Sequence, residues 1–224
     1  VYISGGEPTI HPEFEEISRF LKSQGKQLAI QTNGSTLGNP RIRQVLKDCY
    51  FRIKTPINGH TSELCSFIAG APLDLDAHLD NIRKLHEEAP DIHIMFVTVV
   101  TRDNIEYLDK ILAITRELEF GVQMLNFPET SDRLLGNNLM VSYTEFFDRL
   151  SRIKEETRVL VITSLVKCVY DSMSIRLPTE VIPEWGCRHG IKTDTKCESC
   201  SFEGCLGINA EYTKLFGTDE IIPL

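Results

Sequence analysis

Two groups of residues in this 224-residue sequence have the types and spacing for chemistry: a glycine pair near its start and a cysteine cluster near its end. Ser4-Gly5-Gly6-Glu7-Pro8 directly follows the apolar run Val1-Tyr2-Ile3. Paired glycines let a backbone approach a ligand with no Cβ in the way, and exposed N–H and C=O groups can then bond a polar group such as an amino acid head. Pro8 fixes the exit, and Glu7 adds a carboxylate that could accept from an ammonium group. The same glycines also serve a plain strand-to-helix turn. In the cysteine cluster, Cys187 is followed by Cys197-Glu198-Ser199-Cys200 and then Cys205. A CxxC turn places two sulfurs on one metal, and Cys187 and Cys205 supply the rest of a four-thiolate set. The spacing points to metal and leaves iron-sulfur and structural zinc both open. His189 is a neighbour of these thiols rather than a ligand, and Cys168 is a candidate substitute ligand.

The elements that must position these residues alternate. Short apolar runs at Val1 to Ile3, Leu28 to Ile30, Tyr50 to Ile53, Ile92 to Val100, Val122 to Phe127 and Val159 to Ile162 read as strands. Between them lie amphipathic helices, with stripes such as Phe14, Ile17, Phe20 and Leu21, then Leu75, Leu79, Ile82 and Leu85, then Leu108, Ile111, Leu112 and Leu118, then Phe146, Phe147, Leu150 and Ile153. Helical crossovers of this length imply a parallel sheet. Periodicity alone does not separate an open doubly wound sheet from a barrel. The alternation is predicted to stop near residue 164, where Pro178, Pro183 and Gly186 break up the chain. In such folds ligands sit at the C-terminal ends of strands, which is where Gly5-Gly6 and Gln31-Thr32-Asn33-Gly34 fall.

Ser4-Gly5-Gly6-Glu7-Pro8-Thr9, His11-Pro12-Glu13-Phe14 and, after the next strand, Gln31-Thr32-Asn33-Gly34 together resemble the radical S-adenosylmethionine (SAM) superfamily. The resemblance implies that the GGEP segment binds the amino group of SAM and that the Thr32-Asn33-Gly34 segment closes the next strand beneath the cofactor. Gly5, Gly6, Glu7, Pro8, Thr32 and Asn33 are the cofactor-binding residues it implies. Val97 to Asn104 resembles the family's fifth strand and its exit, and Leu125 to Pro128 resembles the sixth. At the fourth strand the sequence departs, with Ile53-Lys54-Thr55-Pro56-Ile57-Asn58-Gly59 where relatives often carry a Ser-x-Asp-Gly ending. Lys54 and Asn58 are candidates for cofactor contacts there. The implied fold is α/β, a partial (β/α)6 TIM-like barrel over residues 1–164, with a small Cys-rich extension over 165–224 similar to SPASM or twitch auxiliary-cluster tails. The family's CxxxCxxC loop, whose three thiolates hold the 4Fe-4S cluster that binds SAM, lies before GGEP. The sequence is therefore expected to open inside the family's second strand, with the first strand and the cluster loop missing, and to be inactive alone; a degenerate relative that never had them is the alternative.

The function implied is reductive cleavage of SAM to methionine and a 5'-deoxyadenosyl radical, which abstracts hydrogen from a substrate. No catalytic side chain is assigned. By analogy of the tail, a peptide or protein substrate leads, a small molecule or nucleotide comes second, and a non-catalytic barrel with structural zinc comes third. A flavodoxin or ferredoxin would supply the electron. The 24 basic and 32 acidic residues give a net charge of -8, which argues against nonspecific nucleic acid binding. No apolar run approaches the roughly 20 residues that span a bilayer, and a cytoplasmic protein without a membrane partner is expected. Four of the seven cysteines lie in the final fifth of the chain, which favours metal over disulfides. Cys49 and Cys65 read as buried small hydrophobes.

Overall fold

The computed structural model describes residues 1–126, 139–153, 160–165, 167–172, 181–185, 190–191, 194–201 and 207–222. They form two compact units, Val1–Val97 with Ala113–Val122, and Thr98–Leu112 with Gln123–Leu224. The boundary expected near residue 164 falls inside the second unit.

In the first unit, strands β1 (Tyr2–Ile3), β2 (Leu28–Gln31), β3 (Tyr50–Pro56) and β4 (His93–Val99) lie side by side in chain order, each parallel to its neighbour. The register lines up Ile3, Ile30, Ile53 and Ile94 in one row across the four strands. Ile30, Ile53 and Ile94 are buried. Each such side chain contributes about 1.5–3 kcal/mol of hydrophobic stabilisation, and a slip of one residue would turn the row to the other face. The return paths are helices α1 (Phe14–Ser23), α2 (Pro40–Cys49), α3 (Ser62–Ala69) and α4 (Leu75–Glu88). Local chemistry starts them: Asn39, Thr61 and Asp74 each cap the first turn of the helix that follows with a side-chain oxygen.

In α4 the predicted stripe of Leu75, Leu79, Ile82 and Leu85 is buried throughout. In α1 the prediction needs correction, because Ile17 and Phe20 are 40% and 61% exposed while Phe14 and Ser18 face inward. A polar contact sets this rotation. Ser18 Oγ donates to the Phe14 carbonyl and shares a hydrogen bond with the Tyr50 hydroxyl, 2.8 Å away on β3. The i, i+4 pair Phe14 and Ser18 therefore points to the sheet, and Ile17 and Phe20 are carried round the helix.

In the second unit, β5 (Val122–Asn126), β6 (Leu160–Leu165) and β7 (Val181–Trp185) are parallel, and β8 (Gly190–Ile191) pairs antiparallel with β9 (Ile208–Asn209). The strand–helix alternation thus runs past residue 164, through the helix Lys167–Ser172 to β7. Pro183 did not prevent a strand: among the described residues β7 is the last strand of its sheet, a position where proline is tolerated. The core of this unit gathers Val100, Leu108, Phe146, Phe147, Leu150 and Tyr212 among others, so the C-terminal helix Ala210–Phe216 packs into it. Among the described residues no helix is long and apolar enough to cross a membrane.

Candidate functional site

The site forms where β1 and β2 end. Glu7 caps the short 3-10 helix Pro8–Ile10, with Pro8 at its first position, where the absent N–H costs nothing. Upstream, Gly5 has a φ of +146°, a conformation that L side chains rarely adopt. A Cβ added at Gly5 or Gly6 would meet nothing within 4 Å, and both residues are exposed. Among the described residues neither forms a backbone hydrogen bond. The side of the glycine pair where a Cβ would stand is therefore open.

After β2, Thr32 is buried and Asn33 is exposed. Two local bonds shape this turn: Gly34 N–H donates to Thr32 Oγ1 at 3.1 Å, and Ser35 N–H donates to Asn33 Oδ1 at 2.9 Å. Gly34 has a φ of +79°, and a Cβ there would lie 2.2 Å from His78 Cε1. His78, on α4, is 5% exposed; its Nε2 lies 3.2 Å from the Pro56 carbonyl oxygen and 3.4 Å from Thr55 Oγ1 on β3. Burial pushes the His78 imidazole below its ordinary value, with the Pro56 carbonyl opposing. Neutral His78 then carries its proton on Nε2 and donates to Pro56. A cleft of about 270 Å³ opens between this turn and α4, lined by Asn33, Ser35, Asp74, His78 and Asn81 together with smaller apolar residues.

Glu7 joins the two segments. Its Oε1 accepts from the backbone N–H and hydroxyl of Thr9 at 3.1 and 2.5 Å, and from the Thr32 hydroxyl at 2.7 Å. Its Oε2 accepts from the Asn33 N–H at 2.5 Å. The sequence suggested that Glu7 could receive an ammonium group; in the fold its carboxylate is already engaged by four donors of the chain. Lys54 pairs with Gln31 in the β2–β3 register, and its carbonyl accepts from Thr32 N–H at 3.0 Å. Its ammonium lies 5.7 Å from the centroid of the Tyr2 ring, whose hydroxyl donates to Gln31. Gly5, Gly6, Glu7 and Pro8 thus follow β1, Thr32 and Asn33 follow β2, and Lys54 lies within the adjoining β3, near its C-terminal end.

Sequence reasoning passed over Thr9, Thr36 and His78. Thr9 and Thr36 hydroxyls are 2.6 Å apart, extending the Glu7 network to the far side of the second turn. Thr9 could have been found as the hydroxyl residue in the first turn after a Glu-Pro helix start. His78 carries no sequence signal, because its contact with Gly34 spans 44 positions that only the fold brings together.

The profile of the Radical SAM superfamily matches residues 1–113. The chain belongs to the radical SAM superfamily. Within it, the chain is 30% identical over 117 residues to an AdoMet-dependent heme synthase of Methanosarcina barkeri, covering 52% of this chain and 33% of that one. It is 25% identical over 188 residues to the tungsten-containing aldehyde ferredoxin oxidoreductase cofactor-modifying protein of Pyrococcus furiosus, covering 80% and 48%. Among solved structures, SuiB of Streptococcus suis matches with a TM-score of 0.56 at 12% identity, over 84% of this chain and 39% of SuiB. The chain spans less than half the length of each of these proteins. The radical SAM fold is the partial (β/α)6 TIM-like barrel that the sequence motifs implied.

The cysteines of the first unit do not fit the cluster that binds SAM. Cys49 and Cys65 are buried, burial pushes both thiols up, and Cys65 Sγ donates to the Gly59 carbonyl at 3.4 Å. Both are packing residues, as the sequence suggested. In the second unit Cys168 is buried among the residues of the hydrophobic core. Cys197 and Cys200 are half-buried on one turn, with Cys200 N–H donating to the Cys197 carbonyl at 3.2 Å. Cys187, Cys205 and His189 lie outside the described residues. Among the described residues no group of three or more His, Cys, Asp or Glu gathers to hold a metal.

Proposed function

We propose that the complete protein is a radical SAM enzyme, and that its SAM is held by Gly5, Gly6, Glu7, Pro8, Thr32, Asn33 and Lys54. The observation that carries this is the open, exposed glycine pair beside a turn fixed by Glu7. A zwitterionic methionine head needs alternating donors and acceptors with no side chain in the way. Bound at its 4Fe-4S cluster, SAM supplies a 5'-deoxyadenosyl radical by one-electron cleavage; an external flavodoxin or ferredoxin provides the electron. The chain's own residues bind and orient the cofactor. Cys187, Cys197, Cys200 and Cys205 hold an auxiliary iron-sulfur cluster in a SPASM-like or twitch-like tail, with the half-buried CxxC turn in support. The protein works in the cytoplasm.

The substrate reading that leads is a peptide or protein. What supports it is the likeness to SuiB, a structure solved with S-adenosylmethionine and with its precursor peptide SuiA. The second reading, a small molecule, is supported by the 30% identity to the heme synthase. Anaerobic reconstitution of the full-length protein with iron, sulfide and reductant, followed by assay for 5'-deoxyadenosine, tests the function. Formation of 5'-deoxyadenosine supports it; a reconstituted protein that binds iron yet leaves SAM intact contradicts it. Adding candidate peptides against porphyrin-type small molecules, and asking which raises the rate, separates the two substrate readings.

A further inference from the structure

We infer that Glu7 is a positioning residue, acting on the cofactor through Thr32 and Asn33 rather than by taking the amino group itself. This deepens the SAM reading above and rests on it. The hydrogen-bond bookkeeping of the site is nearly closed. A carboxylate offers about four lone-pair positions, and Glu7 receives four donors: Thr9 N–H, Thr9 Oγ1 and Thr32 Oγ1 share Oε1, and Asn33 N–H takes one position of Oε2. Each hydroxyl has one proton to give, so the direction of every bond in the network is set. Thr32 spends its proton on Glu7 and uses a lone pair to accept from Gly34 N–H. Thr9 spends its proton on Glu7, so the Thr9–Thr36 bond must run from Thr36 to Thr9.

The result is one polarised chain, Thr36 to Thr9 to Glu7, with Thr32 and Asn33 donating from the other side. It ties the exit of β1 to both ends of the turn after β2. Thr9 and Thr32 are 4% and 1% exposed, so water does not compete well for these bonds. The anionic centre strengthens each of them. An arriving ammonium would compete at Oε2 with Asn33 N–H, the bond that ties Glu7 to the second turn, whereas Gly5 and Gly6 are exposed with no side chain in the way.

The test is a double-mutant cycle on the full-length protein, comparing Glu7→Gln, Thr32→Val and the double variant. One readout is amide hydrogen exchange at Asn33 and Gly34 without cofactor; the other is SAM affinity by equilibrium dialysis after reconstitution. A glutamine cannot accept at both ends, so one donor of the turn loses its partner. Each single variant is expected to speed exchange at the turn and to weaken SAM binding by about tenfold, the size of one lost charge-assisted bond. The double variant should be no worse than the worse single one. The inference is overturned if Glu7→Gln weakens SAM binding while exchange stays at the wild-type rate, if Thr32→Val leaves affinity unchanged, or if the two effects multiply. If the wild-type protein fails to bind SAM, the functional reading falls, and the exchange data still decide whether Glu7 holds the turn.

Discussion

Gly34 and His78 are packed so closely that the glycine has no room for a side chain: a Cβ on Gly34 would stand 2.2 Å from Cε1 and 2.7 Å from Nδ1 of the imidazole. This contact sets the distance between the turn after β2 and helix α4. The His78 ring cannot retreat freely, because its Nε2 is held at the end of β3 by the Pro56 carbonyl.

Gly34→Ala should therefore destabilise the protein by about 2–4 kcal/mol, combining overpacking with a left-handed φ. Urea unfolding measures it. Adding His78→Ala should recover most of the overpacking part of this cost, since the imidazole clash is removed and the backbone strain and the 3.2 Å approach to Thr55 Oγ1 remain. A Gly34→Ala protein as stable as wild type would show that the contact is looser than described.

The same histidine gives the fold an acid-sensitive point. Burial holds the folded-state value below the ordinary 6.5, so the unfolded chain binds the proton more readily. Its contribution to stability is fully present above about pH 6.5 and is lost as pH falls below it, by up to about 1.4 kcal/mol per unit until the folded-state value is reached. Unfolding midpoints at about pH 7.5 and 5.5 should differ more in wild type than in His78→Gln. Equal differences in the two proteins would exclude His78 as the source.

Part of this site was legible in the sequence. Gly5-Gly6-Glu7-Pro8 and Thr32-Asn33-Gly34 could be placed at strand ends because turn chemistry is local, and four strand positions of the first unit followed from apolar runs. What could not be read depends on contacts between distant segments. The rotation of α1 follows from the Ser18–Tyr50 hydrogen bond, which outweighs the apolar stripe that exposed Ile17 and Phe20 suggested. Glu7 looked like a free carboxylate because its Thr32 and Asn33 partners lie 25 and 26 residues away. Pro183 looked like a breaker because edge position is a property of the sheet and not of the segment.

In the second unit, Tyr212 offers a sharper stability test. Its buried hydroxyl accepts from Tyr143 N–H at 2.8 Å and donates to the Glu220 carboxylate, which also receives Thr144 N–H at 2.9 Å. Burial, then the Glu220 carboxylate, push the phenol far above its ordinary value, so it stays protonated as the donor. Tyr212→Phe keeps the ring and strands the Tyr143 N–H, at an expected cost of about 1–3 kcal/mol in thermal or urea unfolding. A neutral result would mean that water replaces the hydroxyl.

The proposed auxiliary cluster predicts that Cys197→Ser and Cys200→Ser in the full-length protein each lose one cluster's share of iron, sulfide and charge-transfer absorption, while the share of the SAM-binding cluster and SAM binding itself persist. Zinc at stoichiometric level in the anaerobically purified wild type, with iron and sulfide for one cluster only after reconstitution and no change of absorption in the two serine variants, would instead assign these thiols to a structural site.

The central claim is that the glycine pair after β1 grips the methionine head of SAM. Gly6→Val tests it most directly, because nothing lies within 4 Å of an added Cβ and no left-handed φ is required there. The account predicts a full-length variant with wild-type unfolding behaviour whose SAM binding, measured by equilibrium dialysis after anaerobic reconstitution, falls by at least about a hundredfold, the effect of blocking several backbone bonds at once. Wild-type affinity for SAM in a folded Gly6→Val protein would contradict it.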